Sequence, residues 1–146
     1  MGKKEFATGI AKQKTVTPKA LKALAKGLLD PSHPDFGGQG QFNDPSDPSN
    51  NVIHYIGNNK ESAEGECDSV CRYVHDHLPH GSHVVVYDNP DKGINHFVHH
   101  VPTTEGTHVV DFTHRQFRSN APFPLVEPVD RFEARRSMRS RFTNAE

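Results

Sequence analysis

The chain reads as an α+β protein in which helices come first and a meander of antiparallel strands follows. Apolar residues recur at helical spacing over Leu21, Leu24, Leu28 and Leu29, and again over Val70, Val74 and Leu78. Beyond Gly81 the pattern changes to short β-branched runs at His83–Tyr87, Ile94–Val101 and Thr107–Phe112. Dense turn chemistry separates them, first Asp88-Asn89-Pro90-Asp91-Lys92-Gly93 and then Thr103-Thr104-Glu105-Gly106. Helices followed by turn-linked strands predict an antiparallel sheet with a helix packed on it.

The first helix has a start signal. Thr17 offers a capping hydroxyl and Pro18 stands at the first helical position, so a helix over about residues 18–29 is expected, ending at Asp30-Pro31. From Pro31 to Asn51 the chain is rich in Pro, Gly, Asp, Ser and Asn, with Phe36 and Phe42 as its aromatics. That composition predicts an irregular linker, so residues 1–51 read as a leader helix and its tether. Val52–Ile56 is short and apolar, a strand or a helix end. Glu61–Leu78 reads as one helix, stopped by Pro79 and Gly81. The compact part spans residues 52–133, and residues 134–146 read as a basic tail.

Composition bounds the function. At 146 residues the chain has room for one modest core, and its apolar content is 33%. A formal charge of -1 gives no global attraction to nucleic acid. Arg131, Arg135, Arg136, Arg139 and Arg141 crowd one end, yet they lack the interleaved aromatics of a base-stacking platform. No apolar run reaches the roughly 18 residues of a membrane helix. The start, with Lys3, Lys4 and Glu5, lacks the apolar region of a signal peptide. A cytoplasmic protein, or one delivered by a specialised secretion system, is therefore expected. Two cysteines four residues apart make no disulfide framework.

The arrangement that carries chemistry is a cysteine opening a helix, then a histidine and an aspartate on consecutive strands. Cys67 lies in Gly65-Glu66-Cys67-Asp68-Ser69, His96 in Asn95-His96-Phe97-Val98, and Asp111 in Val109-Val110-Asp111-Phe112-Thr113. Partial positive charge at a helix start favours a thiolate, an imidazole moves its proton, and a carboxylate holds the imidazole. In a hairpin turning at Thr103–Gly106, facing positions share a constant sum. A sum of 207 or 209 puts His96 and Asp111 on one face; a slip by one residue puts them on opposite faces. His114 is the competing base. The Cys67 N–H, with Asn58 or Asn59 on the preceding segment, is the expected oxyanion donor set. Cys71, one turn further along, is expected to be a small buried apolar residue.

Gly-x-Cys at a helix start, a later His-Phe-Val, and Val-Val-Asp-x-Thr-x-x-Gln-Phe together resemble the papain-like-fold toxins and protein-glutamine deamidases of bacterial polymorphic toxin systems. The resemblance covers about Val52 to Phe117. Phe112 stands where those chains commonly carry proline, and Glu66 where a small or amide residue is more usual. The resemblance implies a papain-like cysteine hydrolase core. Cys67 would be its nucleophile, His96 its general base and Asp111 its orienting acid, while Thr113, Gln116 and Phe117 close the motif. It further implies deamidation of a protein glutamine through a thioester without a cofactor, a protein substrate in a target cell, and an immunity protein as partner. A thiol protease of the same fold would use the same chemistry.

A zinc-stabilised binding module is the rival from another class, and a degenerate fold without turnover is a third. Cys67, Cys71 and His75 share one helical face and are suitable zinc ligands. Spread over two turns, they span about 12 Å at a rise of 1.5 Å per residue, too far for all three to share one ion, while one adjacent pair with His96 could hold it. No metal is expected.

Overall fold

A computed structural model describes residues 15–38 and 47–142. Four strands form one antiparallel sheet in the order β1-β2-β3-β4, with β1 at His83–Asn89, β2 at Ile94–Thr103, β3 at Gly106–Asp111 and β4 at Leu125–Pro128. Before the sheet come α1 (Pro18–Gly27), α2 (Val52–Gly57), α3 (Lys60–Ala63) and α4 (Cys67–Val74). After it come α5 (Val129–Ala134) and α6 (Arg136–Phe142). The class is α+β, as the change of period predicts.

Alternation along the strands sends apolar side chains to both faces, and each face has its own helical cover. On one face Val101, Val110 and Val126 pack with Val70 and Val74 of α4 and with Leu21, Ala25 and Leu28 from α1 and its end. On the other, Val98, Val109 and Leu125 pack with Phe132 of α5 and Met138 of α6. Each such Val, Leu, Phe or Met side chain, fully buried, contributes about 1.5–3 kcal/mol relative to exposure.

The described residues 18–38 and 47–51 pack with this core rather than standing apart as a leader and tether. Thr17 caps α1 by accepting from Ala20 N–H at 3.0 Å, and Leu21 and Ala25 are completely buried. The described part of the Pro/Gly-rich stretch is held in place: Asn51 donates from Nδ2 to the carbonyls of Leu28 and Asp30, both at 2.8 Å. The same side chain caps α2 through Oδ1. Phe36 is buried in the first core, while Phe42 lies outside the described residues. Val16 also bridges to Thr103 at the end of the hairpin.

The expected Glu61–Leu78 helix is two helices. Gly65, at φ +78°, takes a left-handed conformation that side-chain-bearing residues rarely adopt, so α3 stops and α4 begins afresh at Cys67. A 3₁₀ turn at His75–His77 follows α4. The described part of the basic tail, through Phe142, is also folded. Met138 is buried, Asn89 donates to the Arg141 carbonyl, and Lys92 donates to that of Ser140. Glu127, itself buried, pairs with Arg135 through both carboxylate oxygens where α5 meets α6. That bidentate geometry gives the corner its direction.

Candidate active site

The β2–β3 register pairs His99 with Val110, His100 with Val109 and Thr103 with Gly106, a constant sum of 209. His96 and Asp111 are thereby on the same face and diagonal to one another. His96 Nε2 donates to Asp111 Oδ2 at 2.6 Å, and neither side chain has any exposure.

Pairing between β2 and β3 begins at His99, so the first residues of β2 run on past the end of β3. This leaves a notch in the sheet, and α4 packs against β2 beside it. The Cys67 thiol lies close enough to the His96 imidazole and the Phe97 backbone N–H for both to lower its pKa. A helix covering one face thus meets a histidine belonging to the other. The structure brings Cys67, His96 and Asp111 together, and it does so beside the notch.

Charge in this cluster is arranged consistently. Burial pushes the Cys67 thiol up, but hydrogen bonds from His96 and Phe97, with the His96 charge, bring it below its ordinary value. Burial pushes His96 down, yet the Asp111 carboxylate raises it to about 9. Asp111 is also opposed by burial, and its two histidines hold it well below the usual carboxylate range. Both shifts run toward a thiolate–imidazolium pair and away from the neutral thiol and imidazole. Cys71, buried beside Val70 and Val74, is pushed far up, first by burial and then by Asp111.

The remaining donors differ from expectation. Asn58 and Asn59 are not at the sulfur. The Asn58 carbonyl and Oδ1 accept from Arg115 at 2.7 and 3.0 Å, and Asn59 caps α3 by accepting from Ser62 N–H. Their carboxamide oxygens hold this segment, and neither residue lines the cleft over Cys67. The amide facing the site is Gln116, whose Nε2 lies 3.2 Å from His96 Nδ1. Its only sequence signal was its place at the close of the Asp111 motif.

A cleft of about 610 Å³ opens over Cys67, with Gln116, Asn95 and Phe117 in its walls. Glu64 and Asp68 make one side acidic, and Arg141 brings a cation to it. Arg141 is held over the Phe117 ring at 5.0 Å and donates to the Ser137 carbonyl at 2.9 Å. Neither Arg141 nor Ser137 was legible as a site residue.

His114 does not sit beside the cysteine. Its Nδ1 lies 3.0 Å from Asp111 Oδ2, making it a second imidazole on the same carboxylate. Among the described residues, His96, Asp111 and His114 are the one cluster whose donor atoms converge closely enough for a cation. Cys67, Cys71 and His75 form no such group, and His75 Nδ1 instead meets His99 Nε2 at 2.9 Å.

Comparison with protein-family models, with curated proteins and with solved structures finds no match in any of the three.

Proposed function

We propose that this protein is a cysteine-dependent amide hydrolase with a papain-like core, and that its reaction is deamidation of a protein glutamine. The observation that carries the reading is the His96 Nε2 hydrogen bond to the buried Asp111 carboxylate at 2.6 Å, with Cys67 close enough to the same imidazole for each to shift the other toward its charged form. It is supported by the resemblance of the motifs around those residues. On this reading the protein is a toxin or effector, acts on a protein in a target cell, and is held in check by an immunity protein.

The Cys67 thiolate attacks the carboxamide carbon, and the C=O electron pair moves onto oxygen. Gln116 and the Cys67 N–H are the donors available to that oxygen. When the His96 proton lies on Nδ1 toward the sulfur, the Gln116 amide has no acceptor there and is free to turn to the substrate. The tetrahedral carbon collapses, the C–N bond breaks, and the imidazolium gives its proton to the leaving nitrogen as ammonia. Water then attacks the thioester, His96 takes a water proton, and the carboxylic acid leaves with the thiolate restored.

The same steps on a peptide bond would be proteolysis. Deamidation is favoured because the cleft suits a side chain with its immediate neighbours more than an extended peptide. Intact-mass measurement on candidate target proteins tests this directly. Deamidation leaves the chain whole, with the small mass gain of amide-to-acid conversion and release of ammonia. Fragments would assign the protease instead, and unchanged masses alongside an unreactive Cys67 would reject the hydrolase.

A further inference from the structure

We propose that His114 is a positioning residue for the Cys67–His96 pair, acting through Asp111 as second donor on the shared carboxylate oxygen, and that Ser137 secures it from α6. This rests on the reading of Cys67 and His96 just given.

All the Asp111 contacts bear on the same point. Oδ1 accepts from Thr113 N–H at 2.9 Å and faces the Thr113 hydroxyl at 3.3 Å. Oδ2 takes His96 Nε2 at 2.6 Å and His114 Nδ1 at 3.0 Å. An ionised carboxylate only accepts, so His114 must carry its hydrogen on Nδ1 whatever the state of Nε2. None of the three side chains is exposed, so solvent does not supply that donor instead.

The other ring nitrogen is held as well. His114 Nε2 lies 2.8 Å from Ser137 Oγ, and the ring is edged by Phe117 and Phe132. Packing alone would be satisfied by an apolar residue between those aromatics. What the imidazole adds is a directed N–H on the oxygen that binds His96. Because Thr113 keeps the carboxylate from turning, losing this donor would leave the Oδ2 charge to His96 alone. His96 would then hold its proton more tightly, and the exchange of that proton with sulfur and leaving group would be mistuned.

The alkylation rate of Cys67 by iodoacetamide, followed from about pH 5 to about pH 10, reads this without any substrate. The upper step of that profile marks the pH at which His96 gives up its proton. His114→Leu should move this step up by about one pH unit, the scale of a hydrogen bond to a charged group. His114→Asn, whose amide stands near the Nδ1 position, should return it to the wild-type pH. His114→Gln, whose amide reaches toward Ser137 instead, should behave as leucine does. Ser137→Ala should move the step the same way by less, and no movement there would remove α6 from the role. If the leucine variant does not fold, the asparagine and glutamine pair decides. A step unmoved or lowered in His114→Gln overturns the role of His114 while leaving the hydrolase reading intact. A wild-type thiol that ionises only in its ordinary range overturns both.

Discussion

His75 and His99 face each other nitrogen to nitrogen at 2.9 Å, one from the turn that ends α4 and the other buried in β2. One ring must donate and the other accept, so the contact is lost if both become protonated. Burial, then the charges of His75 and His83, push His99 down to about 4. The unfolded chain therefore takes up a proton at His99 near pH 6.5, and the folded chain resists until about pH 4. Stability should fall as pH drops through that window, by up to about 3 kcal/mol. Urea unfolding at pH values across it checks this. A His99→Leu variant should show a flatter dependence, and an equally steep one would assign the loss elsewhere.

The opposite sign applies to His96. Its folded value is raised to about 9, so its contribution is complete below the unfolded value and disappears as pH rises through about 9. Alkaline unfolding followed by circular dichroism should begin earlier in wild type than in a His96→Gln variant, relative to each protein's neutral stability. Asp111, held low, contributes above its unfolded value and fails only in strong acid.

Iodoacetamide near neutral pH should modify Cys67 first and leave Cys71 untouched until the protein unfolds, as peptide mapping will show. Cys67→Ala should abolish turnover. Cys71→Ala should retain most of it and cost about 1 kcal/mol of packing. Equal labelling of the two thiols would defeat the assignment.

Removing the base should cost more than removing its orienter, because a cysteine is partly ionised unaided. His96→Ala should lose about 10²–10⁴-fold in rate. Asp111→Asn should keep a weak residual rate, since the asparagine can still reach His96. A fully active His96→Ala enzyme would show that proton transfer runs through another group.

Purified protein should hold less than one equivalent of zinc and keep its fold in a chelator. His96, Asp111 and His114 are already satisfied by one another's hydrogen bonds and are closed to solvent, which leaves no position for an outer ligand. Stoichiometric metal with unfolding on chelation would make this cluster a metal centre.

Much of the sheet was legible because β-branched runs between strong turns leave few registers, and the Thr103–Gly106 turn selects the sum of 209. The grouping of Cys67 with His96 and Asp111 was expected from their order and motifs, but the way Cys67 reaches His96 was not legible, because it depends on β3 ending before β2 does. Strand ends carry little local signal. β4 was missed because Leu125 and Val126 are too short a run to stand out, and its buried Glu127 reads as solvent-facing until Arg135 is seen beside it. The last helix reads as a charged tail, since only Met138 and Phe142, four apart, mark its apolar stripe. The leader was misjudged because proline and glycine suggest a free linker, whereas Asn51 ties it down with hydrogen bonds to distant carbonyls.

The burial of Leu21, Ala25, Leu28 and Phe36 bears on how this chain can be cut. A shortened version beginning at Val52 keeps Cys67, His96 and Asp111 and looks self-sufficient on paper. It would nevertheless strip the cover from Val70, Val74, Val101 and Val110, all in the same packed cluster. Losing one large core side chain costs about 2–5 kcal/mol, and an average domain has only about 5–15 to lose. An inert fragment of that kind would report the collapse of the packing around Cys67, and would say nothing about the chemistry proposed for the intact chain.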